Sequence, residues 1–554
     1  MCILILFLFV GAYYYLHKPV SPEQASVIIA EVLDVALAAA ATMAAVGLGP
    51  RLPWLPGKMD WTKMVQAGAA GFGGLGLLWL LLGAAGFFQS WIAWLVLLLL
   101  GIAGGYSLRT ARVPWRKLWG TMRPDSPLAK ALASCLGLIA AVSLLEAVAA
   151  PVHFDALVYH LALPTRYVQA GRFMAVPDNL FWSQPQLAEM LYTWMTLLRT
   201  ATTAATLGWM VAAGTVIGTI GLAAERLSKT AAWVSGAALL AGYSLWSLMG
   251  AAYVDWFTAM FGLAMVAVIL AEWSSRPNGR ARMAGLMAGM AIGVKWTAGT
   301  AALAIAVEEF SQRRSLRDTV LFLLTVSAAV LPWLLKNMIA GGAPFFPFFL
   351  GGVDPVRLAF FQQPPMANSF WLAPVLPAAA TILGVEGAPG FATSIGPLLL
   401  GLLPAALLMR RNEGSQLQGV WVFLLVGWLV WALASLTSVI LAQSRLYFVL
   451  FPAWAILAGA GFKVLQEISW EGVRFGRLAG ALVLLVIGMT VLSAFTNLAS
   501  GGLLQRDVGL ESEDGYLSRR LGAYYTAATD VRNRFEEGQV MTLWEPRSLY
   551  CLPV

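Results

Sequence analysis

Long apolar runs separated by short polar segments make up most of the chain. A run of roughly 20 apolar residues is long enough to cross a bilayer as a helix, and the sequence contains about fifteen such runs, several of them short. We predict spans at 3–16, 25–47, 66–87, 91–108, 130–150, 203–223, 231–251, 254–273, 283–294, 297–309, 319–337, 394–409, 418–438, 446–466 and 478–497. The pattern predicts an all-α polytopic membrane protein with about 15 transmembrane helices, within a range of roughly 13–16.

The composition excludes a soluble, disordered or disulfide-stabilised chain. Hydrophobic residues make up 59% of the 554 residues and charged residues 12%. Soluble domains have a charged share of roughly 25%. The three cysteines, Cys2, Cys135 and Cys551, are far apart and have no metal-ligand spacing. The chain therefore has too few charged side chains to cover a large water-exposed surface.

The distribution of basic residues predicts the orientation in the membrane. Short cytoplasmic loops are enriched in Lys and Arg, and most of the 36 Lys and Arg residues fall in loops that are cytoplasmic if the N-terminus is inside. The net charge of +8 then reflects topology rather than binding to nucleic acid. In this arrangement the C-terminus and the long hydrophilic segments 151–202, 338–393 and 498–554 lie on the external face, where soluble ATP and nucleotide sugars are absent.

The first external loop concentrates scarce ionisable residues at the membrane edge. In HFDALVYHLALP, a helix would place Asp155, Tyr159 and His160 on one face or on adjoining faces. Charge near hydrocarbon is costly and usually functional, which favours a site here. In the alternative, Asp155 only caps the helix and the histidines simply lie in the interface.

Two further motifs place charge at turns between spans. Asp255, in AAYVDWFT, lies at a short external turn near the predicted level of Asp155, and would be a second acid of the site or the N-cap of the next helix. Lys295, in AIGVKWTAGTAAL, divides an apolar stretch into two limbs that are short for ordinary spans. Broken helices are tolerated where they line a polar cavity. Lys295 would therefore hold a lipid phosphate or extend to the membrane surface.

The outer ends of two other spans carry polar groups at the same predicted depth. Lys336 and Asn337 follow the apolar run LPWLL at the end of a predicted span, in LPWLLKNMIAGGAPFFPFF. Arg445 lies in AQSRLYFVLFPAW, near the start of another. Each alone is typical of a solvated helix end. Three cations beside two acids exceed what anchoring requires, so the set favours an anionic substrate carried by a lipid.

In this order, the motifs resemble a known family of membrane enzymes. The segments FDALVYHLALP, PDNLFWSQPQLAEMLY, YVD, GVKWTAG, PWLLKN, PFFPF and SRLYFVLFPAW are similar to the bacterial polytopic glycosyltransferases of the GT-C class. Relatives in that class are the protein mannosyltransferases and the aminoarabinose transferases that modify lipid A. The resemblance implies transfer of a sugar from a polyprenyl-phosphate donor to an acceptor on the external face of the cytoplasmic membrane, with inversion of the anomeric centre.

The resemblance also implies a role for each candidate residue. Asp155 matches the essential acid of the first external loop and would be the general base. The cations Lys295, Lys336 and Arg445 would stabilise the departing lipid phosphate. The other residues expected to bind the substrate are Tyr159, His160, Glu189, Asp255 and Asn337.

One departure from the family affects the expected cofactor. Better-known members often carry an acidic pair in the first external loop, whereas Ala156 follows Asp155 here. A second carboxylate would have to come from Glu146, Glu189 or Asp255. A divalent metal is therefore compatible with the site, but no ligand spacing implies one.

The chain divides into three predicted parts. Residues 1–129 add N-terminal transmembrane helices, residues 130–497 form the GT-C-like core with juxtamembrane helices in its first external loop, and residues 498–554 form an external tail. The tail contains a helix and a strand-like QVMTLW segment, and we expect it to be the start of a soluble segment that the given chain cuts short. The expected partners are membrane lipid, the lipid-linked donor and an acceptor that the sequence does not identify.

Two other functions are compatible with these residues. A transporter for a lipid-linked saccharide would use the same cations, but it predicts polar residues that continue to the cytoplasmic side. An accessory or scaffold subunit of a membrane complex would keep the fold for its surface. In that case a small-residue segment such as AGAAGFGGLGLL (67–78) would pack against a partner subunit.

Overall fold

A computed structural model of the chain describes residues 2–17, 20–49, 59–273, 277–311, 315–341, 343–346, 363–385, 390–410, 414–534 and 545–551. These residues are almost entirely helical, and their strands form one short hairpin, β1 (Ser469–Trp470) and β2 (Val473–Arg474). The predicted all-α class is confirmed.

Up to Leu198, the described residues form eight α-helices and one π-turn. The helices are α1 (Cys2–His17), α2 (Pro22–Leu48), α3 (Trp61–Ala84), α4 (Ser90–Thr110), α5 (Trp115–Met122), α6 (Pro127–Val148), α7 (Ala162–Ala170) and α8 (Leu187–Leu198), with the π-turn at Ala156–His160. The predicted first external loop is thus helical for much of its length.

The middle of the chain contains the helices that surround the predicted site. They are α9 (Ala201–Ala224), α10 (Lys229–Leu240), α11 (Asp255–Leu270), α12 (Pro277–Val294), α13 (Gly299–Ser311), α14 (Leu316–Gly341), α15 (Ser369–Leu372) and α16 (Leu376–Leu383). Short 3-10 turns at Ser247–Met249, Trp296–Ala298 and Ala373–Val375 connect some of them.

The C-terminal third of the chain is also helical. Its helices are α17 (Pro397–Gly401), α18 (Leu403–Ala406), α19 (Gln418–Ser435), α20 (Phe451–Glu467), α21 (Phe475–Gly501), α22 (Leu503–Asp507), α23 (Glu513–Leu521) and α24 (Ala523–Arg534). The 3-10 segments lie at Ser415–Leu417, Ile440–Ala442, Ser444–Leu450 and Leu549–Cys551.

Side-chain caps set where several long helices begin. Ser21 and Gln24 form a capping box before α2, and Asp60 accepts a hydrogen bond from the Lys63 N–H at the start of α3. Ser126 and Ser228 accept equivalent bonds before α6 and α10. Because the first N–H groups of a helix have no partner inside the helix, these oxygens satisfy donors that would otherwise be desolvated near the membrane.

Every predicted span contains helical residues, but the spans differ in length. Among the described residues, nine helices are long and apolar enough to cross a membrane. The predicted span 231–251 is shorter, because α10 ends at Leu240 and turns follow. The predicted span 394–409 is two short helices, α17 and α18. The structure therefore shows a multi-pass membrane protein, while the number of crossings stays a prediction.

Two helices form the centre of the bundle. All residues of α11 are buried, as are nearly all residues of α20. At Gly262, α11 also comes close to the segment that precedes α20, since an added Cβ would lie 1.8 Å from the carbonyl oxygen of Val449. The absence of a side chain at this position lets α11 pack against the 3-10 segment Ser444–Leu450.

The N-terminal helices pack onto the rest of the bundle. Helix α2 contacts α3, α4 and α9, and α3 contacts α8 and α11. Arg199 forms an ion pair with Asp34 of α2. The small-residue segment 67–78, a candidate surface for a partner subunit, packs mostly inside the chain: a Cβ on Gly71 would meet Ala45, and one on Gly76 would meet Leu187.

The described end of the tail folds back onto the first external loop. The Ser548 N–H donates to the carbonyl oxygen of Leu157 at 3.0 Å, and the Tyr550 hydroxyl donates to that of Pro151 at 2.8 Å. The predicted strand QVMTLW (539–544) lies outside the described residues. The predicted three-part division and the continuation of the tail stay predictions.

The close approach at Gly262 yields a stability prediction. Gly262→Ala should lower the thermal midpoint of the purified protein, because the methyl group must displace backbone; overpacking of this kind costs about 1–3 kcal/mol. Gly488→Ala is the matched control, since that position lies in α21 with open space around it. Equal midpoints for both variants in a thermal unfolding assay would contradict the packing described at Gly262.

Candidate active site

The π-turn at Ala156–His160 positions the residues of the first external loop. The Leu161 N–H donates to the carbonyl oxygen of Ala156 at 3.0 Å, a five-residue spacing that widens the helix by one residue. π-turns of this kind are frequent at functional sites. All five residues of the turn are buried, and Asp155 immediately before it is 8% exposed.

Asp155 forms an ion pair with Arg445. The distance from Nη2 of Arg445 to Oδ2 of Asp155 is 2.6 Å, although the two residues are 290 positions apart in sequence. The Asp155 carboxylate makes no capping hydrogen bond to the turn that follows it. The Asp155 carboxylate is therefore bound by Arg445 and does not act as a helix cap.

Asp255 forms a second buried pair, with Lys295. Nζ of Lys295 lies 3.0 Å from Oδ1 of Asp255, and the Asp255 side chain is fully buried. Lys295 has an extended backbone between α12 and the 3-10 turn Trp296–Ala298, so the predicted break in this apolar stretch is present. Asp255 is the first residue of α11, not its N-cap. Its second carboxylate oxygen has no hydrogen-bond partner among the described residues.

Tyr253 contacts the Asp155–Arg445 pair from a position two residues before Asp255. Its hydroxyl accepts a hydrogen bond from the Asp155 N–H at 3.2 Å, and its ring lies 5.3 Å from the centre of the Arg445 guanidinium. The Tyr192 hydroxyl donates to the carbonyl oxygen of Tyr253 at 3.1 Å, which fixes the turn before Asp255. The electrostatic interactions of Arg445 include both Asp155 and Asp255. The acids and cations therefore form one charge cluster.

The sequence pattern does not predict Tyr253 as a site residue. Tyrosines near the membrane edge are common anchors, and nothing in AAYVDWFT shows that this ring contacts a loop about a hundred residues earlier in the chain. The only signal is its position two residues before Asp255. A tyrosine hydroxyl beside a candidate acid is a positioning group that a single sequence rarely reveals.

His160 and Glu189 form a buried hydrogen-bonded pair beside the cluster. Nδ1 of His160 lies 2.7 Å from Oε1 of Glu189. Burial lowers the pKa of His160 well below its usual range and raises the pKa of Glu189 to about 8. At neutral pH these shifts favour a protonated Glu189 that donates to a neutral imidazole. The other ring nitrogen, Nε2, has no partner within the described part of the chain.

The ring of Tyr159 packs against the His160 side of the His160–Glu189 pair. It lies 3.9 Å from the His160 ring and stacks on Phe181 at 4.4 Å between centroids. The electrostatic interactions of Tyr159 include Asp155, Asp255 and Arg445. The structure thus brings together six of the predicted residues, which are Asp155, Tyr159, His160, Asp255, Lys295 and Arg445, with Glu189 directly behind His160.

Lys336 and Asn337 lie in a neighbouring part of the site. Nζ of Lys336 donates to the carbonyl oxygens of Trp182 and of Gln184, the latter at 2.6 Å, and lies 4.6 Å from the centre of the Trp182 ring. The Asn337 side-chain amide donates to the carbonyl oxygen of Pro344 at 3.2 Å. Both residues therefore hold neighbouring loop segments in place, and no described hydrogen bond or ion pair joins them to Asp155 or Asp255.

The three candidates for a second carboxylate have different partners. Glu146 lies 2.8 Å from Nε2 of His153, Glu189 is bound to His160, and Asp255 belongs to the charge cluster. Asp255 is therefore the second acid that accompanies Asp155. In the described ranges, no group of three or more His, Cys, Asp and Glu side chains has the arrangement of a metal site.

Comparison with known proteins finds similarity in three-dimensional structure. No protein-family model matches the chain, and no curated protein matches it in sequence. The crystal structure of ArnT from Cupriavidus metallidurans in the apo state superposes with a TM-score of 0.51 at 15% sequence identity, over 76% of this chain and 84% of that chain. The same protein bound to undecaprenyl phosphate gives a TM-score of 0.49 at 16% identity, with the same coverage.

The likeness to the apo structure covers most of both chains. At this level of identity it establishes the fold and leaves the activity to be argued from the site. ArnT is an aminoarabinose transferase and a glycosyltransferase of the GT-C class. This chain is a polytopic helical membrane protein with a GT-C-like fold.

Proposed function

We propose that the protein transfers a sugar from a polyprenyl-phosphate-linked donor to an acceptor hydroxyl, with inversion at the anomeric carbon. The observation that carries this proposal is the charge cluster: Asp155 pairs with Arg445, Asp255 pairs with Lys295, and Arg445 interacts electrostatically with both acids. Buried acids and cations that meet at one membrane edge are costly unless they serve a substrate. The likeness in fold to ArnT supports the same reaction class.

Asp155 is the group that we assign as general base. Arg445 holds its Oδ2 atom, so Oδ1 is the oxygen that would accept the proton of the acceptor hydroxyl. The acceptor oxygen would then form a bond to the anomeric carbon from the face opposite the phosphate. The bond between that carbon and the phosphate oxygen would break, and its electron pair would leave with the phosphate. One displacement of this kind inverts the anomeric centre.

Arg445 and Lys295 would stabilise the departing phosphate. Negative charge grows on the leaving group in the transition state, and fixed cations in a site shielded from water stabilise it strongly. Arg445 can contact phosphate through two N–H groups at once. Lys295 lies at a break between helices, where a lipid headgroup can approach Nζ. Asp255 would hold Lys295 in place before the substrate binds.

The His160–Glu189 pair would support the acceptor side of the site. Burial disfavours the charged form of both groups, so the pair would contribute hydrogen bonds rather than charge to the site. Nε2 of His160, which has no hydrogen-bond partner among the described residues, would bind a sugar or acceptor hydroxyl. Lys336 would act indirectly, by holding the segment around Trp182 and Gln184.

The proposed location is the external face of a bacterial cytoplasmic membrane, with the N-terminus inside and the C-terminus outside. The excess of basic residues in alternate loops supports this orientation. Since nucleotide sugars are absent outside the cytoplasm, a donor activated through a lipid phosphate fits a site on that face. The sugar and the acceptor stay open.

Replacing the proposed base tests the mechanism. Asp155→Asn should lower the rate of transfer from a polyprenyl-phosphate sugar by about 10²–10⁴-fold, because the amide cannot accept the acceptor proton. Asp178→Asn is the matched control, since Asp178 lies in the same loop, is exposed and pairs with Arg166. Product formation by purified protein in lipid vesicles is the measurement. Equal rates for Asp155→Asn and wild type would contradict the assignment.

A double variant distinguishes two roles of Lys295, binding of the donor phosphate and structural pairing with Asp255. Lys295→Gln leaves a buried carboxylate without its partner, which typically costs about 3–5 kcal/mol. Adding Asp255→Asn should restore the thermal midpoint, because no uncompensated charge remains. Transfer activity should stay low in the double variant if Lys295 binds the donor phosphate. Recovery of both stability and activity would show that the pair is only structural.

Substitutions at Tyr253 test its role as a positioning residue. Tyr253→Phe removes the hydroxyl that accepts from Asp155 and should lower kcat about fivefold, the worth of one hydrogen bond. Tyr253→Leu also removes the ring beside Arg445 and should lower kcat further. The KM for the donor should stay within twofold in Tyr253→Phe. Tyr243→Phe, at an exposed tyrosine, is the control, and a fall in its kcat equal to that of Tyr253→Phe would contradict the role.

A further inference from the structure

Two adjoining cavities lie at the opposite end of α20 from the charge cluster. Each has a volume of about 220 Å³, and they share Met409 and Lys463 as lining residues. Arg445 precedes the start of α20, whereas Lys463 lies near its end. The cavities are therefore separated from the proposed active site by the length of a membrane-spanning helix.

Basic side chains dominate the charged lining of these cavities. Arg410 and Lys463 line the first cavity, and Arg226 and Lys463 line the second. Glu467 is the acid that lines the first. Among the described lining residues, three cations thus face one carboxylate. Residues 411–413, which follow Arg410, lie outside the described part of the chain.

Arg226, which lines the second cavity, has one donor that no group in the described part of the chain satisfies. Its Nη2 atom donates to the carbonyl oxygen of Leu270 at 2.5 Å, which holds the guanidinium in place. Its Nε atom is buried and has no hydrogen-bond partner within the described residues. A buried cationic donor without a partner is costly, so an external acceptor is expected.

Apolar side chains border the basic groove. Leu407 and Leu408, which precede Arg410, are 70% and 68% exposed. Trp470, in the hairpin that follows α20, is 66% exposed. Exposed tryptophans are typical of the boundary between lipid and water. The cations thus lie at headgroup depth, with leucines on the side where acyl chains would pack.

We propose that this groove binds the phosphate of an anionic membrane phospholipid. Arg226, Arg410 and Lys463 would hold the phosphate, and Leu407 and Leu408 would contact an acyl chain. A free phosphate ion carries the same charged group as the lipid headgroup, but it has no acyl chain to contact the exposed leucines. The site is independent of the sugar-transfer reaction, because none of its residues belongs to the charge cluster.

Lipid binding by the purified full-length protein tests this site. Delipidated protein would be titrated with phosphatidylglycerol, with phosphatidylcholine and with inorganic phosphate, and binding would be measured by native mass spectrometry. We expect one phosphatidylglycerol to bind at least tenfold more tightly than phosphatidylcholine, and inorganic phosphate at millimolar concentration not to displace it. Each of Arg226→Gln, Arg410→Gln and Lys463→Gln should weaken phosphatidylglycerol binding about fivefold, in line with the contribution of one basic residue near an anionic headgroup.

Arg477→Gln is the matched control. Arg477 lies near the start of α21, close in sequence to the hairpin, and lines neither cavity. A loss of affinity in this control as large as in Lys463→Gln would show unspecific attraction and overturn the proposal. Equal binding of the two phospholipids, or displacement of lipid by inorganic phosphate, would also overturn it. If Arg226→Gln fails to fold, as judged by its thermal midpoint, the Arg410 and Lys463 variants still decide the outcome.

Discussion

The cost of keeping a charge out of water is the constraint on which the site depends. Asp255 is fully buried and Asp155 nearly so, and each is matched by a cation within 3.0 Å. A buried ion pair adds little net stability, but removal of either partner is strongly destabilising. The chain therefore has to bring Arg445 to the loop of Asp155 and Lys295 to the start of α11. The breaks in its helices lie where these pairings require them.

Several departures from regular helix follow from this constraint. The π-turn after Asp155 widens one turn of the first external loop, and the chain between α12 and α13 is extended at Lys295. The 3-10 segment that begins at Ser444 places Arg445 ahead of α20. Each break has polar side chains beside it, as expected for irregular backbone at membrane depth. Gly262 lets α11, which begins at Asp255, pack closely against the 3-10 segment that carries Arg445.

The sequence is informative about the fold because apolar runs of membrane length have few alternatives to a helix. The break at Lys295 can be predicted for the same reason, since two limbs of that length cannot each form an ordinary span. The shorter helix α10 and the divided segment of α17 and α18 are not predicted, because hydropathy does not distinguish a helix from apolar turns buried in protein. The return of the tail to Leu157 and Pro151 depends on one backbone hydrogen bond and one from the Tyr550 hydroxyl, and neither leaves a pattern in the sequence.

Single charged residues in an apolar chain predict much of the site, but not its pairings. Asp155, Asp255, Lys295 and Arg445 are conspicuous because charges are scarce at their level. Which acid meets which cation depends on helix packing, and Tyr253 has no signal of its own. Lys336 is the clearest example. Its predicted depth in the membrane suggests that it binds phosphate, whereas its Nζ atom donates to the carbonyl oxygens of two loop residues.

The central claim is that the charge cluster binds the phosphate of a lipid-linked sugar donor. An electron cryomicroscopy structure of the full chain in a lipid nanodisc with a polyprenyl phosphate tests it most directly. The account predicts phosphate density within hydrogen-bond distance of Arg445 and Lys295, with Asp155 facing the space where the acceptor would lie. Phosphate density elsewhere on the protein, with both ion pairs unchanged, would contradict it.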